Sequence, residues 1–531
     1  MAIQILLAAA VILICLSLTR LSNKIGLPTL AVFIAIGMLF GSDGIVRIPF
    51  DNYTLSEQLC SVALIFIMFY GGFGTSWRHA KGTAPAAIAL STFGVVLTAL
   101  LTGVFCRFVL KISWLESFLI GSVISSTDAA SVFSILRSRK LNLKYNTASL
   151  LEVESGSNDP CAYMMTVIVL TLMEGSANGW VLAGLVLSQI LVGVIMGVIF
   201  AYVGRWLLKH MYKDGAGYDS ILIFGIVLLS YALSTMLRGN GYLSVYITGL
   251  MLGNMSIPRK KTLVHFFDGV TGLMQISLFF LLGLLSFPSQ LPEIALTGLA
   301  IALFITFIAR PLAVYVLTKP FRFPFRQQLL ISWAGLRGAA SIVFAIMAVV
   351  SPAVTPPKLF NIVFFIVLFS ILIQGSLLPF ISRKLKMIDN DEDVMKTFSD
   401  YSDEIPVHFL NLIIDENHPW AHQALKNIQM LPQVRVAILI RDEKQMIPRG
   451  STVVHPGDVA IICGPALEEH TLGALTEIRL NSGHDWIGRT LKSINMDDDK
   501  RVIMIQRDQK AIIPDGSTRL ARGDILIVNN K

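Results

Sequence analysis

Thirteen long apolar segments fill the first 382 residues of the 531-residue chain, and each is about as long as a helix that crosses a bilayer. Charged residues make up 15% of the chain, whereas a soluble protein carries about 25%. The sequence therefore predicts an all-α polytopic membrane protein with about 13 transmembrane helices. The segments are residues 2–19, 28–44, 57–77, 84–110, 115–136, 147–173, 180–208, 218–237, 241–256, 266–287, 292–318, 328–350 and 358–382.

The loops between these segments alternate in charge. Every second loop carries two or more Lys or Arg, as in residues 137–144, 259–261 and 383–386. The loops between them hold at most one basic residue each, and these are Arg47, Lys111, Arg238 and Lys358. Because loops rich in Lys and Arg stay in the cytoplasm, we expect the N-terminus outside and the C-terminus in the cytoplasm.

The chain becomes polar after the last apolar segment, and this tail contains an internal repeat. Residues 418–463 align without gaps onto residues 484–529. Each unit is predicted to contain a helix, from its Trp to its Met, followed by strands. We expect two cytoplasmic α+β domains in tandem. The predicted division is a transmembrane domain at 1–384, a linker at 385–405, and regulatory domains at 406–475 and 476–531.

The sixth apolar segment carries an unusual set of polar side chains. They are Glu152, Glu154, Ser155, Asn158 and Asp159. Acidic residues at membrane depth cost about 2.5–3.5 kcal/mol each on insertion scales, and they are tolerated where they pair, bind something or face a water-filled cavity. On a helix, Glu154 and Asn158 are neighbours four residues apart, as are Ser155 and Asp159. This cluster is suited to binding a small cation and exchanging it against a proton.

Two other apolar segments are interrupted by small and polar residues. Residues 125–131 surround Asp128 in the fifth segment, and residues 335–341 surround Arg337 in the twelfth. Such runs weaken a helix, and unwound backbone at membrane depth is tolerated where it lines a cavity. The two interruptions occupy corresponding positions in two halves of the membrane part. This pattern is typical of secondary transporters built from inverted repeats with broken helices.

Two arginines lie deep in apolar segments, Arg310 in the eleventh and Arg337 in the twelfth. An unpaired charge in such a setting is prohibitively costly. We expect buried acids and arginines to pair, with both arginines open as partners of Glu154.

Several function classes are disfavoured by missing motifs. The nine histidines show no HExxH or comparable spacing, the sequence has no Walker A motif, and no GxGxxG follows a predicted strand. The basic residues form no stripe, although the net charge is +8. We therefore expect no enzyme activity, no resident metal or cofactor and no nucleic-acid partner.

At three motifs the chain resembles the monovalent cation/proton antiporter superfamily. They are Ser126-Thr127-Asp128-Ala129-Ala130, Glu154-Ser155-Gly156-Ser157-Asn158-Asp159-Pro160 and Gly335-Leu336-Arg337-Gly338. The resemblance is strongest to bacterial potassium/proton antiporters associated with cell-volume regulation. It implies a homodimer in the bacterial cytoplasmic membrane. Each protomer would have a scaffold and a mobile core with two crossed, discontinuous helices.

The resemblance also implies roles for the site residues. Asp159 would bind the ion, with Ser155, Asp128 and the backbone of Thr127 completing its shell. Asn158, directly before Asp159, makes the chain similar to the electroneutral subgroup. Electrogenic relatives carry a second aspartate at this position. Glu154 would form the buried ion pair with an arginine.

One departure from the family bears on selectivity. Sodium-exchanging members commonly carry two leucines where this chain has Gly156 and Ser157. We expect a wider and more polar site, which favours the larger ion that is less costly to dehydrate. The tail repeats resemble the C-terminal ligand-binding domain of regulators of potassium conductance. This resemblance implies a small regulatory ligand, with a nucleotide as the leading candidate.

The sequence therefore predicts an electroneutral potassium (sodium)/proton antiporter for cation and pH homeostasis, regulated by its tail. A sodium/proton antiporter and a ligand-gated potassium channel remain alternatives. A channel would carry a selectivity filter of the TVGYG type, and this sequence has none.

Overall fold

The structure is a computed structural model that divides into two compact units, Met1–Ser402 and Asp403–Lys531. The residues it describes are 2–25, 28–139, 141–175, 178–210, 218–354, 358–389, 407–416, 418–430, 434–441, 444–465, 475–480, 484–494, 500–507, 510–512 and 514–530. Most of the predicted linker therefore lies outside the described residues.

The first unit is helical, and each of the thirteen apolar segments contains helix. The helices in its described part are α1 (Ala2–Ile25), α2 (Thr29–Phe40), α3 (Tyr53–Gly74), α4 (Trp77–Ala80), α5 (Ala84–Ala89), α6 (Val95–Phe108), α7 (Trp114–Ile124), α8 (Ala129–Ser138), α9 (Thr147–Met173), α10 (Gly179–His210), α11 (Tyr218–Met236), α12 (Gly241–Asn254), α13 (Lys260–Leu284), α14 (Leu291–Phe304), α15 (Arg310–Thr318), α16 (Phe325–Trp333), α17 (Ala339–Val350), α18 (Lys358–Phe369) and α19 (Ser376–Lys384).

Some of these helices are parts of longer ones. Wider π-helical turns at Leu90–Gly94, Ile305–Ala309 and Ser370–Gly375 join α5 to α6, α14 to α15 and α18 to α19. Counted with these joins, eight helical stretches in the described part are long and apolar enough to cross a membrane. The length and composition of these helices are those of a polytopic membrane protein.

The helices form two groups. Helices α1–α3 and α10–α13 pack on one another and are called the scaffold bundle here, and α5–α9 with α14–α19 form the crossing bundle. Close packing within the scaffold bundle depends on small residues. A side chain at Gly72 of α3 would meet the backbone of α12 at Leu250, only 2.9 Å from the position of a Cβ. Gly72 therefore allows α3 and α12 to pack closely.

Both predicted interruptions are present, and they cross each other. Helix α7 ends before residues 125–128, and α16 ends before residues 335–338. The N–H of Asp128 donates to the carbonyl of Leu336 at 2.8 Å. A Cβ at Gly338 would collide with the Asp128 side chain, so only glycine allows the two unwound segments to approach this closely.

The second unit contains two antiparallel sheets of the same topology. Its strands are β3 (Val407–Ile413), β4 (Arg435–Arg441), β5 (Lys444–Met446), β6 (Val459–Pro465), β7 (Leu475–Arg479), β8 (Lys500–Arg507), β9 (Lys510–Ile512) and β10 (Ile525–Asn530). The orders are β3-β6-β4-β5 and β7-β10-β8-β9. The matching orders agree with the internal repeat in the sequence.

The predicted helix of each tail unit is wrong. Its place is taken by turns and a single turn of 3-10 helix, at Leu425–Asn427 and Leu491–Ser493. In the first unit, Ala424 forms a β-bridge with Val453, and Leu425 N–H donates to Thr452 O at 3.0 Å. These backbone groups are committed to a neighbouring segment, so they are not free to form α-helical hydrogen bonds.

A small sheet in the first unit joins two distant loops. Strand β1 (Asn142–Leu143) lies between α8 and α9, and β2 (Ile388–Asp389) follows α19. They pair in antiparallel fashion, and Lys144 N–H donates to Met387 O at 2.9 Å. The end of the membrane unit is thereby attached to the loop between the two helices that flank the candidate site.

Candidate functional site

Helix α9 is attached to the first interruption through Ser155. The Ser155 hydroxyl donates to Thr127 O at 2.8 Å and accepts from Ala129 N–H at 2.8 Å. Asn158, which is buried, donates from Nδ2 to the Thr127 hydroxyl at 2.5 Å. One turn of α9 and the unwound segment 125–128 therefore form a single polar cluster.

Asp159 lies in the same cluster. Its carboxylate accepts a hydrogen bond from the Ser126 hydroxyl. The Asp128 carboxylate accepts from the N–H and the hydroxyl of Ser131, at 3.2 Å and 2.5 Å. Within the described residues, neither aspartate forms an ion pair with Lys or Arg. The site therefore presents two carboxylates that no protein cation neutralises.

Both aspartates line a cavity of about 760 Å³ in the membrane unit. Its walls also include Ser155 and two further acids, Glu152 and Asp268, and its described lining contains no Lys or Arg. A cavity with acidic walls concentrates cations from the solvent. The arrangement can therefore admit a cation to Asp159 through water.

Glu154 is neutralised by Arg310. The Arg310 guanidinium lies 2.5 Å from the Glu154 carboxylate, and the two side chains are only 4% and 1% exposed. Of the two arginines that the sequence leaves open, Arg310 is therefore the partner of Glu154. A fully buried charge is stable only with such a partner.

Arg337 has a different role in the crossing. Its guanidinium donates to the carbonyl oxygens of Ser125 and Ser126 at 2.8 Å and 2.7 Å. These carbonyls lie at the C-terminal end of α7, where a helix leaves acceptors unsatisfied and carries partial negative charge. Arg337 therefore stabilises the unwound segment from which Ser126 and Thr127 reach α9.

The expected extra space at Gly156 is absent. An ideal Cβ at Gly156 would collide with the ring of Tyr246, whose Cζ lies at 2.9 Å. The Ser157 hydroxyl donates to Val153 O in its own helix at 2.8 Å. The glycine therefore leaves no free volume toward α12, because the ring of Tyr246 occupies it, and a site wider than in the sodium exchangers stays a prediction.

The comparisons with known proteins agree with this geometry. A family model for the transmembrane sodium/hydrogen exchanger matches residues 9–384, and the TrkA-C domain matches residues 411–472 and 475–528. The chain belongs to the sodium/hydrogen exchanger family.

Relatives of known name are similar over most of this exchanger. The K(+)/H(+) antiporter NhaP2 of Shewanella sp. (strain MR-4) is 34% identical over 89% of this chain and 82% of its own length. The K(+)/H(+) antiporter NhaP of Alkalimonas amylolytica is 35% identical over 87% and 81%. The solved sodium proton antiporter MjNhaP1 of Methanocaldococcus jannaschii at pH 8 has a TM-score of 0.63 at 21% identity, covering 72% of this chain and 99% of that chain. The last comparison supports the polytopic helical antiporter fold.

The exchanger's two TrkA-C domains each contain one matched ion pair. Arg441 binds both carboxylate oxygens of Asp458 at 2.8 Å, and Arg507 binds those of Asp524 at 2.7 Å. Hydrogen bonds from the arginines hold the pKa of Asp458 and of Asp524 below the ordinary value of 3.8. Each pair fixes the end of one strand, β4 or β8, to the turn before its neighbour in the sheet, β6 or β10.

Sequence reasoning missed two residues of the exchanger's site region. Ser126 belongs to the unwound motif, and its position beside Asp128 could have identified it as a hydroxyl donor to the site. Tyr246 lies in α12, and its apolar segment gives no sign that its ring contacts Gly156. Within the described residues, no group of three or more His, Cys, Asp and Glu side chains is arranged to hold a metal ion.

Proposed function

We propose that the chain is an electroneutral potassium/proton antiporter in which Asp159 binds the cation and the proton in turn. One observation carries the proposal: the Asp159 carboxylate, which has no Lys or Arg ion-pair partner among the described residues, faces an acidic cavity. The names of the relatives that cover most of the chain support potassium.

The mechanism needs one carboxylate with two neutral states. With a proton or with a monovalent cation, Asp159 carries no net charge, and only these states can cross the low-dielectric barrier between inward- and outward-open forms. Ser155, Asp128 and the backbone of Thr127 supply further oxygens to the cation. Asn158 is uncharged, so one cation exchanges for one proton and the cycle moves no net charge.

In this mechanism, Glu154 and Arg310 take no part in ion binding. Their mutual neutralisation fixes α9 to the helix that follows the π-turn at 305–309. Because Glu154 is neutralised in this ion pair, it does not compete with Asp159 for the cation.

The proposed topology has 13 spans, an external N-terminus and a cytoplasmic C-terminus, in the cytoplasmic membrane of a bacterium. We propose a homodimer, with domains at 1–384, 406–475 and 476–531 and a linker between the first two. The cavity lining includes Glu152 near the start of α9 and Gly74 at the end of α3, and these ends adjoin the basic loops 137–144 and 78–81. In the proposed topology the cavity at Asp159 therefore opens toward the cytoplasm.

Regulation by the tail is part of the proposal. The strand pair β1–β2 attaches the start of the linker to the loop between α8 and α9. A small ligand of the TrkA-C domains, with a nucleotide as the leading candidate, would change transport to the extent that it binds one conformation more tightly.

Sodium/proton exchange is the second candidate. The Na(+)/H(+) antiporter NhaH of Halobacillus aidingensis is 26% identical over 72% of this chain. The two candidates differ only in which ion the same site accepts.

Proton movement in proteoliposomes tests the proposal, with potassium, sodium and lithium supplied in turn. We expect potassium-dependent proton movement that generates no membrane potential. Asp159→Asn should abolish it, because the variant keeps the size of the side chain but loses its charge. Glu174→Gln is the matched control, since it also neutralises an acid of the same chain segment but lies exposed after the end of α9, away from the described cavity lining. Exchange at the normal rate by Asp159→Asn would contradict the assignment.

A further inference from the structure

The ring of Tyr246 fills the place of a side chain at position 156. An ideal Cβ at Gly156 would lie 2.9 Å from Tyr246 Cζ and 3.0 Å from its hydroxyl oxygen. Both distances are shorter than ordinary contacts. The glycine and the tyrosine are therefore matched in size.

A second glycine also lies close to Tyr246. A Cβ at Gly72 of α3 would come within 3.1 Å of Tyr246 Cδ2. Tyr246 itself is only 3% exposed. Its ring is thus packed closely against both α3 of the scaffold bundle and α9 of the crossing bundle.

This contact lies beside the candidate ion site. Gly156 directly follows Ser155 and is three residues before Asp159, so Gly156 and Asp159 share one face of α9. Both line the same cavity. The Tyr246 hydroxyl is buried, and it has no hydrogen-bond partner among the described residues.

We propose that Tyr246 is a specificity-determining residue of the exchange. Its ring takes the place of the missing side chain at position 156. Tyr246 is not in the described lining of the cavity, so it acts through α9: the ring is a rigid wall behind Gly156 that limits how closely the turn carrying Gly156 and Asp159 can contract around a small ion. The inference rests on the proposed exchange at Asp159, and it adds a residue that is remote in sequence from every motif of the site.

The first test measures apparent KM for potassium and for sodium in proteoliposomes, at equal amounts of folded protein. Tyr246→Leu removes the wall and should change the ratio of the two values by roughly tenfold, the scale on which a pocket discriminates size. Tyr246→Phe keeps the wall and should leave the ratio near that of the unmodified protein. An unchanged ratio in Tyr246→Leu, or an equal change in both variants, would overturn the proposal.

The second test uses the size match directly. Gly156→Ala should lower exchange by roughly tenfold, because an extra methyl group in a filled site forces its neighbours apart. The double variant Gly156→Ala with Tyr246→Leu should recover part of that loss, since leucine leaves room for the methyl group. Gly225→Ala is the control: it adds the same methyl group to α11, where nothing lies within 4 Å.

The outcomes separate this inference from the proposed function. If the unmodified protein moves no protons in response to potassium or sodium, the proposed function fails. If it exchanges normally while Gly156→Ala exchanges at the same rate, or while Tyr246→Leu gives no recovery, only the role of Tyr246 fails. A failure of Tyr246→Leu to fold leaves the Gly156→Ala and Tyr246→Phe measurements to decide.

Discussion

The membrane unit and the tail both bury carboxylates, but they neutralise them differently. In the tail, Asp458 is 1% exposed while its partner Arg441 is 31% exposed, so water still reaches the arginine. In the membrane unit, Glu154 and Arg310 are both enclosed, and Asp159 has no cationic partner in the described part of the chain. The comparison teaches that a paired buried acid holds structure, whereas an unpaired one facing a cavity is available for exchange.

Breaking the enclosed pair should have the largest effect on stability. Glu154→Gln leaves the Arg310 guanidinium buried without its counter-charge, which typically costs about 3–5 kcal/mol. We expect a large fall in the thermal midpoint of the detergent-solubilised protein and a low yield. The measurement is thermal unfolding followed by size-exclusion chromatography.

Second-site variants identify the partner. Adding Arg310→Gln to Glu154→Gln removes the orphaned charge and should recover part of the lost stability. Adding Arg337→Gln should recover none, because Arg337 is bound to the backbone of Ser125 and Ser126. Wild-type stability of Glu154→Gln would show that the pair contributes little.

The half-exposed pairs of the tail should have a smaller effect. Arg441→Gln removes two hydrogen bonds from a buried carboxylate, a loss of about 1–3 kcal/mol. Arg507→Gln is the matched variant in the second TrkA-C domain. Hydrogen exchange of the full-length protein should show faster exchange in the tail peptides of the altered domain and an unchanged membrane unit.

The same pairs predict a dependence on pH. Because the folded pKa of Asp458 and of Asp524 lies below the ordinary value of 3.8, their stabilisation is complete above that value and is lost as pH falls through the lower folded values. The protection of tail amides against hydrogen exchange, corrected for the intrinsic exchange rate at each pH, should therefore fall in acid, and less so in the variants that lack the arginine. Equal acid sensitivity with and without Arg441 would contradict this account.

The local features of the membrane unit were predictable from sequence. Residues 125–128, and the glycines Gly335 and Gly338, are weak helix formers in apolar surroundings, and both segments are unwound. The acids of α9 stand out because charge is rare at membrane depth. In each case the signal lies in the residues themselves and their near neighbours.

Pairings between distant segments were not predictable. Arg310 and Arg337 have the same chemistry and similar surroundings, and only the packing of α15 against the rest of the bundle places one of them on Glu154. The space at Gly156 depends on Tyr246, which is 90 residues further along the chain. The tail helix was mispredicted because the spacing of Trp420, Leu425 and Ile428 fits a helix face and also a turn that packs on a sheet.

Removing the tail should have the smallest effect on exchange. The ion site lies wholly in the membrane unit, so deletion of residues 406–531 should change the rate or the pH profile of exchange without abolishing it. The strand pair β1–β2 is the connection that we expect to carry the change, because Leu143 and Met387 are buried beside it.

Met387→Ala sharpens this last comparison. The variant should loosen β2 from the loop between α8 and α9, and so shift the pH profile of the full-length protein toward that of the truncated one. In the truncated protein the same substitution should change the pH profile little, since there is then no tail whose effect the strand pair could carry to the ion site. Leu208→Ala is the control, because it creates a similar buried gap in α10, far in sequence from the strand pair. If Met387→Ala shifts the pH profile equally in the full-length and truncated proteins, the residue acts on the ion site without the tail. If truncation alone leaves the pH profile unchanged, the tail has no regulatory role.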